Sequence, residues 1–342
     1  MPLFAAGGKQ LEGATAELTE RIPLTPGANK IEVSCTDEAG AESYRALTIA
    51  DEPGKPAGEL WYLGFGVSKY RDESLTLRYA DKDARDLGEL LSKMKKPYKA
   101  VHAKVLVNEE VTVSGIKEAK AFITKAKPDD TLVLFIAGHG VHDRDAESTY
   151  YFLTHEADLS NLRETAANFD AVEDLLQGIA PRSKLFLMDT CESGEAEAAL
   201  EERTLAAATS RGLHSRGVKL ASGAQARPNS MQPAPRRAWV LEKDRYIYND
   251  VARRSGAIVF SSSRGGQYSY ESEQLQNGFF TSALLRALET DQADANKDGM
   301  VSTGELRAYV RSQVAKATDG LQTPTVDRDN LFQRFGFPRV DR

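Results

Sequence analysis

Short apolar runs alternate with amphipathic helical segments through most of this 342-residue chain. From residue 60 onward the apolar runs lie at 61–67, 100–107, 131–137, 184–188 and 257–261, and helical spacing is found at 79–94, 113–126, 169–179 and 279–288. A run such as TLVLFIA, without polar alternation, is typical of a strand buried on both faces of a parallel sheet. The alternation predicts an α/β fold, with a doubly wound, mostly parallel sheet flanked by helices.

Residues 1–52 follow another pattern. Period-2 stretches such as Lys30-Ile31-Glu32-Val33 are separated by turn residues, which predicts β-hairpins. We expect a small, immunoglobulin-like β segment here, followed by a linker at 53–58 and one larger domain over 59–342.

Composition excludes several functions. The net charge is −6, which argues against a general nucleic-acid binder. There is no apolar run long enough for a transmembrane helix, and the first residues do not resemble a signal peptide. Two cysteines, Cys35 and Cys191, rule out a disulfide framework and favour a cytoplasmic location.

Reactive residues follow two of the apolar runs. His139 comes directly after 131–137 within Gly-His-Gly, and Cys191 follows 184–188 within Asp-Thr-Cys-Glu-Ser-Gly. Ligands bind at the carboxyl ends of strands in doubly wound sheets, and an imidazole can activate a thiol as a nucleophile. The backbone amides of Gly140 and Cys191 could stabilise an oxyanion. The alternative is a buried thiol and a structural histidine; zinc is disfavoured because the ligand set is too small.

These segments carry a specific resemblance. WYLGFGVSKYRDESLTLRYADKDARDLGELL, VLFIAGHG and LFLMDTCESG resemble the caspase-like peptidases, especially bacterial metacaspase and paracaspase relatives, over about residues 59 to 340. The 52-residue spacing from His139 to Cys191 is close to that of caspases. The resemblance implies a cysteine endopeptidase with a His139–Cys191 dyad. The sequence departs from animal caspases in having Asp-Thr-Cys instead of Gln-Ala-Cys.

The same resemblance implies an acidic pocket for the residue before the cut. Asp189 stands where animal caspases have glutamine, Asp83 resembles a second pocket acid, and SSSRGGQYSYES resembles the pocket-lining strand, with Ser269 and Glu271 facing substrate. Such a pocket takes arginine, or less favourably lysine. The alternatives are that Asp83 interacts only with its helix dipole and that Glu271 is a solvated loop charge.

The stretch 195–245 has no sustained periodicity and is basic. From 203 to 254 there are 11 Lys or Arg residues against three Asp or Glu. We expect a flexible, exposed linker that is cut during maturation, as exposed chain often is. The candidate processing residues are Arg203, Arg211, Arg216, Arg236 and Arg237. The alternative is an electrostatic tether on the acidic body.

Residues 294–305 match the calcium-binding loop of EF-hands, D-x-[DN]-x-[DN]-G-x5-E. The predicted ligands are Asp294, Asn296, Asp298, the Met300 carbonyl, Ser302 and Glu305, with Gly299 at the sharp turn. The alternative is a loop whose Asp and Gly residues merely cap the flanking helices.

Together these features predict a cysteine endopeptidase that cleaves proteins after Arg or Lys, is activated by cleavage of its basic linker and needs no cofactor for its chemistry. The expected partners are proteins with exposed Arg or Lys and an upstream protease or regulatory protein, with neither nucleic acid nor membrane among them. The resemblance alone implies a role in bacterial defence or cell death. The alternatives are a non-catalytic caspase-like scaffold and an aspartate-specific protease, which would need a basic pocket.

Overall fold

A computed structural model describes residues 19, 24, 28–36, 42–50, 58–94, 98–143, 149–191, 208, 213–218, 255–264, 267–326 and 335–338. In chain order the strands are β1 Ala28–Thr36, β2 Glu42–Ala50, β3 Leu60–Gly66, β4 Val101–Val107, β5 Thr131–Gly138, β6 Gly140–His142, β7 Tyr150–Phe152, β8 Ala167–Asn168, β9 Ser183–Thr190, β10 Leu213–Ser215, β11 Ile258–Ser261, β12 Tyr270–Ser272, β13 Asn277–Gly278, β14 Met300–Ser302, β15 Thr325–Val326 and β16 Gly336–Pro338.

The helices are α1 Ala80–Ser92, α2 Val113–Ile123, α3 Leu162–Thr165, α4 Phe169–Leu176, α5 Phe279–Glu289 and α6 Thr303–Ala317. Several begin at side-chain caps, which satisfy backbone amides that have no partner within the helix. Thr112 accepts from Gly115 N at α2, and Asn168 accepts from Ala171 N at α4.

A six-stranded sheet in the order β15-β11-β9-β5-β3-β4 forms the centre of the larger domain. All its neighbouring strands are parallel except the β11–β15 pair, which is antiparallel. β3 and β5 are buried along their whole length, as continuous apolar runs predict. The predicted α/β fold with a mostly parallel sheet is therefore confirmed, with an antiparallel edge strand that the sequence pattern did not indicate.

The structure describes only part of the predicted N-terminal β segment. The described residues there form one antiparallel hairpin, β1–β2, in which Ala28 pairs with Ala50. An immunoglobulin-like segment is not confirmed, because most of residues 1–27 and 51–57 lie outside the described part of the chain. Across the described ranges, no helix is long and apolar enough to span a membrane.

Candidate active site

The sheet register brings the two reactive residues together. Gly138 at the end of β5 pairs with Thr190 at the end of β9, so His139 and Cys191 leave the sheet side by side. A Cβ atom at Gly140 would lie 2.5 Å from the carbonyl oxygen of Cys191, which shows how closely these strand ends approach. Gly138, directly before His139, has φ of +151°, a conformation that favours glycine.

Two backbone carbonyls hold the imidazole of His139. Nε2 lies 2.8 Å from the carbonyl oxygen of Leu75, and Nδ1 lies 2.5 Å from that of Arg216. The backbone amide of His139 donates to the hydroxyl of Tyr70. Burial lowers the pKa of His139, while the bonds to the two carbonyls act in the opposite direction. Burial has the larger effect, so the pKa of His139 stays below its ordinary value and the neutral imidazole is favoured. A neutral ring carries one N–H, so it donates to one of these two carbonyls and not to both.

Cys191 is a fully buried, unpaired thiol. Its Sγ accepts a hydrogen bond from Ser269 N at 3.0 Å. Burial raises the pKa of the Cys191 thiol to about 12, although hydrogen bonds from the backbones of Ser269 and Arg216 act to lower it. The thiol is therefore neutral in this state and needs a base before it can act as a nucleophile.

The guanidinium of Arg216 lies among the three acidic residues proposed for the pocket. Nη1 is 3.0 Å from Oδ2 of Asp189, and Nη2 pairs with Asp83 and lies 3.4 Å from Oε2 of Glu271. Arg216 has no solvent exposure, and neither do Asp83 and Asp189. Burial alone would lower the pKa of Arg216, but the three carboxylates outweigh it and raise the pKa. The pocket thus holds the guanidinium of Arg216 among three carboxylates.

Neutral donors hold the pocket carboxylates in place. Asp189 accepts from the hydroxyls of Ser269 and Thr281, at 2.8 and 2.7 Å. Asp83 accepts from Asn277 Nδ2 at 2.8 Å and from the amide of Gly278. Burial raises the pKa of Asp83 to about 7, with the Arg216 guanidinium acting in the opposite direction and Asp189 adding to the rise. These hydrogen bonds fix the orientation of the two carboxylates around the guanidinium.

Glu271 connects the pocket to the loop that orients the histidine. Its carboxylate accepts from the backbone amides of Arg78, at 2.9 Å, and Tyr79, at 3.3 Å. These amides lie just after Leu75, whose carbonyl contacts His139, and just before α1, which carries Asp83. One carboxylate thus contacts the bound guanidinium and fixes the neighbouring backbone.

Arg216 is the candidate processing residue that lies within the described part of the linker. The sequence predicts that it is exposed, but it is buried in the pocket, where three carboxylates compensate its charge. The linker also contains the strand β10, which the sequence pattern did not indicate. Arg203, Arg211, Arg236 and Arg237 lie outside the described residues.

In the predicted calcium loop, carboxylate oxygens accept hydrogen bonds from backbone amides of the same loop. Asp294 accepts from the amides of Asp298 and Gly299, and Asp298 accepts from that of Met300. Glu305 Oε1 accepts from Ala295 N at 2.9 Å, and its Oε2 forms a capping box with Ser302 at the start of α6. Nowhere in the described ranges do three or more His, Cys, Asp or Glu side chains group to hold a metal ion. Calcium binding stays a prediction.

Several groups of the site carry no sequence signal. The Leu75 carbonyl is a backbone atom, which no residue pattern identifies. Thr281 and Asn277 are common residue types at ordinary positions, the first turn of α5 and the short strand β13. Asn277-Gly278 reads as a turn dipeptide, which gave no indication that it faces a pocket.

Fold and site together define an α/β domain with a cysteine and a histidine at adjoining strand ends beside an acidic pocket. The family model of the caspase domain matches residues 62–336. The chain belongs to this caspase family, whose members are generally cysteine peptidases.

Two solved structures to which the chain is similar are distant in sequence. A protein from Geobacter sulfurreducens is 15% identical, with a TM-score of 0.48, over 82% of this chain and 94% of that one. Caspase-1 from Spodoptera frugiperda is 14% identical, with a TM-score of 0.43, over 78% of this chain and 87% of that one. No curated protein sequence matches the chain.

Proposed function

We propose that the protein is a cysteine endopeptidase that cleaves after arginine, and less efficiently after lysine. The observation that carries the proposal is the position of Arg216. Its guanidinium lies among Asp83, Asp189 and Glu271, while its carbonyl contacts His139. An arginine side chain in the pocket thus brings its own peptide group next to the imidazole, and a turn of that group toward Gly140 would bring it into position for attack by the thiol.

The pocket favours arginine over the other candidate residues. Two terminal nitrogens of the guanidinium reach separate carboxylates, which a lysine ammonium, being a single point charge, cannot reproduce. An aspartate would bring a fourth negative charge into a fully buried acidic pocket. The aspartate-specific alternative therefore lacks the basic pocket that it requires.

The chemistry proceeds in steps that the two residues can perform. Nε2–H of His139 donates to the Leu75 carbonyl, and once the Arg216 carbonyl turns away from Nδ1, that nitrogen can remove the proton from the Cys191 thiol. The thiolate attacks the scissile carbonyl, and the amides of Gly140 and Cys191 stabilise the oxyanion. The imidazolium then protonates the leaving amine, and water hydrolyses the thioester with His139 again acting as the base.

Cleavage of the basic linker is part of the proposed function, since Arg216 belongs to that linker and occupies the pocket. A bacterial defence or cell-death role is proposed from the family resemblance alone.

Fluorogenic peptides ending in Arg, Lys or Asp test the function. We expect hydrolysis in the order Arg, Lys, Asp, and loss of all hydrolysis in Cys191→Ala with little change in unfolding free energy. His155→Ala is the matched control, because its Nδ1 contacts the Lys69 carbonyl away from the pocket. Assays with and without calcium show whether the ion matters. Equal hydrolysis by Cys191→Ala would contradict the dyad, and inactive wild-type protein would leave the scaffold alternative.

A further inference from the structure

The segment around Arg216 binds as an extended peptide. β10 pairs antiparallel with β12, with Leu213 opposite Ser272 and Ser215 opposite Tyr270. The pairing continues through the amide of Arg216, which donates to the carbonyl of Ser269 at 2.9 Å. Addition of a strand to a sheet edge is a general way of binding peptides, in which backbone bonds give affinity and alternate side chains give selectivity.

Burial differs sharply along this bound segment. Leu213 and Arg216 are buried, whereas His214 and Ser215 are partly exposed. Nε2 of His214 lies 3.9 Å from a carboxylate oxygen of Glu273, and both side chains are exposed. Selectivity is therefore expected at the arginine and at the residue three positions before it, and little in between.

The residue after Arg216 is confined by an aromatic ring. A Cβ atom at Gly217 would lie 2.0 Å from Cε1 and 2.2 Å from Cδ1 of Tyr268. Tyr268 is buried and packs edge-on against the ring of Tyr270, which restricts its movement. The position after the arginine therefore favours glycine.

We propose that the segment from Leu213 to Gly217 is the chain's own first substrate, cut between Arg216 and Gly217. Good substrates in trans then share its pattern of an aliphatic residue, two tolerant positions, arginine and glycine. This inference rests on the proposed peptidase function and extends it to the residues on both sides of the cut.

The cut between Arg216 and Gly217 uses the same steps as the proposed chemistry. The Cys191 thiolate adds to the carbonyl carbon of Arg216, the C–N bond to Gly217 breaks, and His139 gives the amine of Gly217 its proton. Water then converts the thioester into the carboxylate of Arg216 and the free thiol. The Arg216 carbonyl oxygen contacts Nδ1 of His139 in the structure, so this peptide group must turn toward Gly140 before attack.

Intact mass and N-terminal sequencing of the purified chain test the self-cleavage. A new N-terminus at Gly217 is expected in wild type and not in Cys191→Ala. Gly217→Val should remove this cut, whereas the control Gly223→Val, in the same linker, should not. Circular dichroism checks that each variant is folded. Cleavage of the linker only at other arginines overturns the assignment.

Internally quenched peptides, which do not depend on variant folding, test the pattern. The reference is Leu-His-Ser-Arg-Gly-Val, and the probes replace Leu with Asp or Gly with Val. We expect each replacement to lower kcat/KM by about tenfold or more, because one loses apolar burial and the other meets Tyr268. Equal rates for the three peptides overturn the inference and leave the arginine-specific peptidase standing. Hydrolysis of none of them overturns both.

Discussion

Gly278 lies against Asp189 in the wall of the pocket that holds Arg216. A Cβ atom added to Gly278 would lie 2.7 Å from Oδ2 of Asp189. The same position is 2.9 Å from Nη2 of Arg216. A glycine here leaves just enough room for the guanidinium, so the residue at 278 limits what the pocket can hold.

Gly278→Ala should therefore exclude arginine from the pocket. The φ and ψ values of Gly278, −63° and 148°, suit alanine, so the effect is steric and not a backbone strain. Overpacking of about 1–3 kcal/mol corresponds to a loss of roughly 5- to 150-fold in kcat/KM for arginyl peptides. Gly304→Ala, where the nearest atom is 3.9 Å from the new Cβ, is the control. Unchanged kinetics in Gly278→Ala would show that the pocket adapts.

Asp83→Asn should lower kcat/KM for arginyl peptides by about 100-fold or more, since breaking a buried ion pair costs about 3–5 kcal/mol. Asp86→Asn provides a matched control on the same helix. Its carboxylate accepts from Asn277 at 2.8 Å and also pairs with Lys82, and it is partly exposed. Steady-state kinetics on cleaved protein distinguish the two. Equal losses in both variants would mean that Asp83 acts only by holding Asn277, which both carboxylates contact.

Alkylation of Cys191 by iodoacetamide should be slow near pH 7 in the uncut chain. The thiol is buried, and a pKa raised to about 12 leaves it protonated. The thiolate fraction, and with it the rate, should rise about tenfold per pH unit between about pH 7 and 10. Peptide mass spectrometry follows this cysteine separately from Cys35. A fast reaction that is independent of pH in this range would indicate a preformed thiolate.

Lys184→Met should stabilise the protein at neutral pH. Burial lowers the pKa of Lys184 to about 8, while its ordinary value is about 10.4. The folded state therefore bears a penalty of about 3 kcal/mol below about pH 8, which fades as pH rises toward about 10.4. The bond from Lys184 Nζ to the Ser255 carbonyl offsets part of the gain, which leaves about 1–2 kcal/mol.

Urea unfolding near pH 7 and near pH 10 measures this effect, in the Cys191→Ala background to prevent cleavage. The stabilisation should be present at the lower pH and absent at the higher one. Lys125→Met, at an exposed position, should change little at either pH. A destabilised Lys184→Met would mean that the hydrogen bond outweighs the buried charge.

The neighbouring positions of His139 and Cys191 could be predicted from the sequence because they follow from topology. Parallel strands end at the same edge of a sheet, so residues that follow two apolar runs meet there when the strands are neighbours. The register that pairs Gly138 with Thr190 meets this condition. The acidic pocket required the family resemblance, because Asp83 and Asp189 are far apart in sequence and no periodicity connects them.

The bound state of the linker could not be predicted in the same way. β10 has three residues and forms by pairing with β12, a contact between distant parts of the chain. Local propensity carries no information about such a strand. The candidate processing arginines looked alike in sequence, and the placement of Arg216 depends on three carboxylates contributed by different elements.

The shared use of Glu271 restricts how this domain can diverge. Its carboxylate faces the bound arginine and also anchors the amides of Arg78 and Tyr79, next to the loop that orients His139. A descendant or an engineered version that exchanged Glu271 to accept another residue would disturb the imidazole as well. New selectivity would accordingly evolve more easily at Gly278 than at the carboxylate itself.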